Sequence, residues 1–391
     1  MIELPGLTLE FLDADPATQA LCLRYWRADE EGRFVEKMVS ICSDAGLTQA
    51  QLRQVVRQHA RVWSRGLDCS RCVAPVQFAS RTDFVAGHAA RAFVCDTCMV
   101  TARKDADGTK QRLLQEGYER AMAAADSVEE LSARHCLLLL ALFKFAGFEQ
   151  LTAIRAYAGA GRELLSPSRT FDLALIDELW KAGVIAVGPQ SPLEAITLQR
   201  DGGATFDFER VHWAPTVRYD APFAGVYEQL DARVSGATFA EGHMADIAEC
   251  CQELACVECL AFLEAVLGEY AMGYSPGDKT RAVLAKALEH YSVAQVCNFL
   301  WRSAKDAAAY QVRSGVSKSH AARTVVGSVE RYMEKAQANG WEVARYRRNY
   351  RLPQSILSRV IYNGLLATDD GGFSELNSVL LERYRTAGAG L

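Results

Sequence analysis

The sequence predicts a mainly α-helical chain with small β elements, an α+β fold. Three observations carry this. Stretches with apolar residues at helical spacing dominate, above all Phe239 to Leu267 and the segments after Asp278. Ser, Thr and Gly stand at many of their ends, where helix caps belong. Strand-like runs are short and confined to two regions, one around residues 76–94 and one around residues 184–213. A chain of 391 residues exceeds one ordinary core and suits two or three domains. Half of its residues are hydrophobic and 23% are charged, as in soluble globular proteins. No uninterrupted apolar run reaches the ~18 residues that span a bilayer. Cys136 to Phe148 is broken by Lys144 and reads as a core helix. Met1-Ile2-Glu3-Leu4-Pro5 lacks the basic start and apolar run of a signal peptide, so a cytoplasmic protein without a membrane partner is expected.

Residues 1–66 read as an N-terminal helical domain. Glu31 to Asp44 places Phe34, Met38, Val39 and Cys42 on one side, and Gly46 follows as a C-cap. Thr48 is the expected N-cap of a second helix, Gln49 to Ser64, with Leu52, Val55, Val56, His59 and Trp63 near one face. Helix, Gly-containing turn and helix have the outline of a helix-turn-helix. Arg53, Arg57, Arg61 and Arg65 step by four along the second helix. Such a stripe either contacts phosphates or is a solvated face beside an apolar one.

Residues 67–100 carry the strongest chemical signal. Cys69-Ser70-Arg71-Cys72 is followed by twenty-two residues and then Cys95-Asp96-Thr97-Cys98. A two-residue gap lets both thiolates of a pair turn toward one point, and two pairs supply the four sulfurs of a tetrahedral Zn2+ site. With all four positions filled by sulfur, no site stays open for water, which points to a structural metal. In the insert, Val76-Gln77-Phe78 and Ala92-Phe93-Val94 suit the strands of a hairpin. The segment resembles a zinc ribbon, over about thirty residues only. It departs from the commonest ribbon knuckle because Val73 and Met99, not Gly, follow the second cysteine of each pair. Buried thiols, two redox pairs or a four-thiolate iron site are the alternatives. His88 is either an outer ligand or a solvated loop residue. The other eight of the 12 cysteines are scattered among apolar residues, as reduced buried thiols usually are.

Residues 101–218 form a helical domain that becomes winged-helix-like. After the polar stretch Arg103 to Lys110 come helices at Gln111 to Ala125 and Val128 to Phe148, with Ser127 and Glu130 placed for a capping box. Phe171 to Ala182 is an amphipathic helix that ends at Gly183, and Val184 to Val187 follows as a strand. Ala195 to Leu198 is the expected returning strand and Phe206 to Trp213 a further one. A helix running through Gly into a small hairpin is similar to a winged helix. Its helix carries Asp172, Asp177 and Glu178 against one Lys, a poor surface for phosphate. The resemblance therefore implies protein binding or a purely structural role.

Residues 219–238, with Pro222, Gly225 and Gly236, read as a linker. Residues 239–391 read as a basic helical domain. Between Ser275 and Val360 stand 15 Lys/Arg and 6 Asp/Glu, a surplus of nine; with −5 over the whole chain, the remainder carries −14. This asymmetry marks a polyanion-binding half or two halves that attract each other. Cys256 and Cys259 fall within a helical pattern, as core thiols, a second metal pair or a redox pair. Helices are expected at Lys279 to His290, Val293 to Val312, Lys318 to Asn339 and Gln354 to Leu366. Before the last, Arg345-Tyr346-Arg347-Arg348-Asn349-Tyr350-Arg351 interleaves arginines, which grip phosphate in a bidentate fork, with stacking tyrosines. The same arginines suit pairing with acids of the other half. The tail Ala387 to Gly390 is expected to be mobile.

No Gly-rich phosphate loop, Gly-x-Ser-x-Gly elbow or His-Glu-x-x-His occurs, and the seven histidines do not cluster. A binding protein is expected, with an enzyme whose site is assembled from distant residues as a third alternative. The expectation is a zinc-stabilised nucleic-acid-binding or regulatory protein of bacterial type. Its metal ligands are Cys69, Cys72, Cys95 and Cys98, and its nucleic-acid contacts are Arg53, Arg57, Arg61, Arg345, Arg347, Arg348 and Arg351. The alternative is a protein–protein interaction subunit built from the same modules. DNA versus RNA and an oligomeric state stay open.

Overall fold

The computed structural model describes residues 1–12, 15–89, 93–161, 163–221, 223–236, 238–239 and 242–388. Ala92 of the expected second strand and the end of the C-terminal tail lie outside these, and at His88 only the backbone is described. The chain forms two compact units, Met1–Thr109 and Lys110–Leu391, and is mostly helical with small antiparallel sheets. Among the described residues no helix is long and apolar enough to cross a membrane.

In the N-terminal unit, β1 (Ile2–Leu4) and β2 (Leu7–Phe11) form a hairpin. Asp15 then caps α1 (Pro16–Trp26), its carboxylate accepting from the backbone N–H of Ala17 and Thr18. There follow α2 (Met38–Ala45), α3 (Gln49–His59), β3 (Ala60–Asp68), β4 (Pro75–Gln77), α4 (Arg81–Ala89) and the start of α5 (Asp96–Ala123). The sheet order is β1-β2-β3-β4, antiparallel throughout. Leu7, Leu9 and Val62 point inward from the sheet and meet Cys22 and Trp26 of α1, Ile41 of α2 and Leu52 of α3. Arg81 is buried here, a cation placed by packing rather than by any local pattern. It donates to the carbonyls of Tyr25, Glu36 and Arg24 and lies over the rings of Tyr25 and Phe34.

Two helix expectations are corrected. The first helix begins at Met38, not Glu31, because Asp29 accepts from the N–H of Glu31 and Arg33 and Gly32 takes a positive φ, which folds residues 28–34 into a bridged turn. The second starts where expected, with Thr48 and Gln51 forming a capping box, but ends at His59. From Ala60 the pattern changes from period 3.6 to period 2: Ala60, Val62 and Ser64 are buried with Arg61 exposed between them, and the chain becomes β3. The arginine stripe is thereby split. Arg53 and Arg57 stand on α3, Arg61 and Arg65 on β3.

In the C-terminal unit, Ser127 and Glu130 close the expected capping box, but around one short turn, Val128–Glu130. Ser132 then caps α6 (Ala133–Ala146), buried on nearly every side. α7 (Arg169–Lys181) passes through Gly183, at φ +72°, into β5 (Ile185–Val187). The expected return of β6 (Ile196–Leu198) onto β5 does not occur. β6 pairs with β7 (Ala204–Phe206), because Asp201 accepts from the Gly203 N–H and Gly202 takes a positive φ to make the tight turn. The partner of β5 is β8 (Trp213–Pro215). The segment read as a linker contains α8 (Val226–Val234).

The remaining elements are α9 (Met244–Glu269), α10 (Asp278–Leu288), α11 (Val293–Ser314), α12 (Lys318–Ala338), α13 (Ile356–Ser358, continued by a π-helical stretch Arg359–Leu365), α14 (Gly371–Ser374) and α15 (Asn377–Gly388). Helix α9 is shared by two cores. Ile247, Cys251 and Leu254 pack with α6, α7 and β8, whereas Cys259, Leu263 and Val266 pack with α10, α11 and α12. Cys256 and Cys259 thus sit on a core helix. Cys259 is fully buried against the Cys297 thiol, and burial pushes its pKa well up.

Candidate metal centre

The four cysteines come from a turn and a helix start. Cys69 follows β3 directly, and the turn there closes through Val73 N–H donating to the Cys69 carbonyl and Cys69 N–H donating to the Ala74 carbonyl, both at 2.9 Å. Closing this turn puts Val73 at φ +59°, the left-handed region. A β-branched residue there is a true outlier, and its strain is of the order of 1–3 kcal/mol. This is the position where a ribbon knuckle ordinarily has Gly. Cys95 precedes α5 and Cys98 lies in its first turn, next to the positive end of the helix dipole. The Ser70 N–H donates to the Phe93 carbonyl at 2.8 Å, which ties the two segments together.

All four Sγ atoms lie within 4.8 Å of one another. Cys72 Sγ and Cys95 Sγ are 3.8 Å apart. A zinc tetrahedron with ~2.3 Å bonds has Sγ–Sγ edges of about 3.8 Å, so the residues fit a tetrahedral thiolate-bound metal. Cys69 is buried, Cys95 and Cys98 are half-buried and Cys72 is exposed. The backbone N–H of Cys95, followed by those of Cys72 and Arg71, brings the Cys69 thiol down to about 6. The Cys98 thiol is pushed up to about 12, first by its contact with Cys72. The insert differs from the expected hairpin: it holds β4 and α4, and Phe93 makes only an isolated bridge to Cys69.

The arginines fall into separate groups. In the N-terminal unit Arg53, Arg57 and Arg61 are exposed, Arg53 near the Gln49 amide and Arg57 donating to the Ala79 carbonyl. In the loop after α12, side chains alternate. Arg345 and Arg347 face outward, while Tyr346 packs on Phe262 and Trp301. Arg348 turns inward, bonded to Asp370 and to the buried Glu258 and lying over the Phe373 ring. Arg351 donates to the Tyr350 hydroxyl. Tyr350 is 83% exposed and Trp341, at the head of the same loop, 53%. Trp341 was missed from sequence, although its place just after the helix-ending Asn339-Gly340 pair marks it as outside a core helix.

Compared with known proteins, the chain matches no family model, and neither a curated sequence nor a solved structure resembles it at a significant level.

Proposed function

We propose that the chain is a zinc-stabilised, non-enzymatic nucleic-acid-binding protein. Its N-terminal unit is held by Zn2+ on Cys69, Cys72, Cys95 and Cys98, and its main contact surface is the loop 341–351. Zinc suits four soft thiolates and brings no redox chemistry, and a closed thiolate set leaves no place for a substrate. The ribbon-like segment is thus a structural clip.

The loop is the observation that carries the nucleic-acid reading. It is anchored on its inner side by Tyr346, by Arg348 and by the Tyr346 N–H to the Ala294 carbonyl at 2.9 Å. Anchoring fixes the backbone while Arg345, Arg347, Trp341 and Tyr350 face solvent. Among the described residues neither Arg345 nor Arg347 has an ion-pair partner. Fixed cations beside exposed aromatic faces are what a flexible strand requires, phosphates on the guanidinium groups and bases on the rings. The acids of α7 support a structural role for the winged-helix-like region: Glu178 pairs with Arg134, Asp177 with Lys181, and Asp172 accepts from the Tyr157 hydroxyl.

The test is a filter-binding titration of wild type and Arg345→Ala/Arg347→Ala against single-stranded oligonucleotides at several salt concentrations. The double variant should bind more weakly to every sequence, with a flatter salt dependence. Equal binding by both proteins would remove the loop from the interface. A protein-partner reading is favoured by one observation: Val73, Met99 and Val100, beside the cysteine pairs, are each more than half exposed. That reading gains if the wild type binds no oligonucleotide.

A further inference from the structure

Two clefts and a small pocket lie along α9. The largest, about 650 Å³, includes Glu264, Leu267, Ser319 and Arg323. The next, about 580 Å³, includes Arg169, Leu260, Glu264 and Arg281. The third is a small pocket of about 20 Å³, room for a single water, lined by Glu258, Ala261 and the loop residues Arg348, Asn349 and Leu352. Neighbouring clefts share walls: Glu264 belongs to the first and second, Pro167 and Ala261 to the second and third. On α9 the residues lining the first two clefts are Val257, Leu260, Ala261, Glu264, Leu267 and Gly268, which recur every three or four positions and so form one stripe. The shared Glu264 wall and a single helical face make the first two clefts one groove, and the third is a small side pocket against its Pro167–Ala261 wall. From Val257 to Gly268 it runs about 16 Å at ~1.5 Å per residue. At its Pro167–Ala261 wall only the small pocket lies between it and Arg348, Asn349 and Leu352 of the arginine–tyrosine loop.

The charges along the groove are not balanced. Glu258 is matched by Arg348, and Arg169 pairs with Glu209. Arg281 and Arg323 are exposed, and among the described residues neither has an ion-pair partner. Glu264 is the one lining acid that remains. Two guanidinium groups thus share the groove with a single carboxylate, and Ser168, Thr170, Ser275 and Ser319 on the same walls supply neutral phosphate donors.

We propose that this groove carries the backbone of single-stranded nucleic acid onward from the loop 341–351, with Arg281 and Arg323 as phosphate contacts. The proposal rests on the nucleic-acid reading above. Duplexes are read by elements that project into their grooves, whereas a concave cleft with spaced cations follows a flexible strand. The loop alone holds the first nucleotides, and the groove sets the length of the site.

The experiment compares oligothymidylates of about 4 and about 12 nucleotides, within the range of small single-strand sites. The proteins are wild type, Arg281→Ala/Arg323→Ala, Arg281→Lys/Arg323→Lys and the loop variant Arg345→Ala/Arg347→Ala. Circular dichroism checks that each is folded. In wild type the longer strand should bind more tightly. The groove Ala variant should lose that advantage, by roughly tenfold or more per arginine removed. Its salt slope should fall by about 1.4, at ~0.7 per phosphate on a single strand, while binding of the short strand stays unchanged. The Lys variant should keep most of the advantage. If the groove Ala variant binds the longer strand as wild type does while the loop variant is weakened, the groove is wrong and the loop reading stands. If wild type binds neither strand at low salt, both fall together.

Discussion

Cys72 Sγ lies 3.8 Å from Cys95 Sγ although 23 positions separate them in the chain. Neither a helix nor a hairpin turn brings them there. The tight turn after β3 carries one cysteine and the start of α5 the other, so two independent elements converge on a point where a metal–thiolate tetrahedron fits. Convergence of this kind has a local cost, seen in the backbone of Val73.

Replacing Val73 by Gly should stabilise the protein. The φ of +59° strains a valine, and relief of that strain outweighs the extra chain entropy of glycine in the unfolded state. The net gain should be about 1 kcal/mol, a few degrees in Tm. Val73 is 73% exposed, so little packing is lost. A lower Tm for Val73→Gly would show that the strain is not there.

Gly372 should tolerate no side chain. A Cβ there would lie 2.1 Å from the Tyr362 ring, which is buried and held by its hydroxyl to Asn377 at 3.0 Å. Gly372→Ala should cost about 3 kcal/mol by overpacking. In a Tyr362→Ala background the same substitution should cost much less, because the obstructing ring is gone. Equal costs in the two backgrounds, measured by urea unfolding, would contradict the contact.

Arg347 and Arg348 are neighbours in sequence with opposite duties. Arg347→Ala should leave stability within about 0.5 kcal/mol of wild type, as expected of an exposed site. Arg348→Ala should cost about 3–5 kcal/mol, because it strands the buried Glu258 without its cation. Urea unfolding of the two variants separates the roles, and equal losses would contradict them.

The pH dependence of Arg348→Ala has a definite sign. Burial already raises the Glu258 pKa above its ordinary value of 4.5, against the pull of Arg348. An acid whose pKa is raised on folding contributes stability at low pH and loses it as pH climbs from the ordinary value through the raised one. Removing Arg348 raises that pKa further and widens the window. The variant should therefore regain stability, relative to wild type, as pH falls from 7 toward 5. Adding Glu258→Gln should abolish the difference in slope.

Much of the fold was legible where one local rule governs. The Thr48 cap with Gln51, the Ser127 box with Glu130, and the helix ends at Gly46 and Gly315 all follow from short-range chemistry. The four clustered cysteines were legible for the same reason, since their spacing is itself a geometric constraint. What was not legible depends on distant partners. Nothing near Ala60 says that Phe11 will pair with it, and Leu9 and Leu7 with Val62 and Ser64, and convert a helical arginine stripe into a strand. The exchange of partners among β5 to β8 turns on which strands meet across a long loop. Arg348 looks like its neighbours in sequence, and only the remote Glu258 and Asp370 draw it inward.

The proposed function depends first on the metal centre, and metal content per chain tests that centre most directly. Elemental analysis of the purified, dialysed protein should find about one zinc per chain in wild type and almost none in Cys69→Ser/Cys98→Ser, as a four-thiolate site requires. Zinc at the wild-type level in the double variant, or iron in place of zinc in the wild type, would contradict the account.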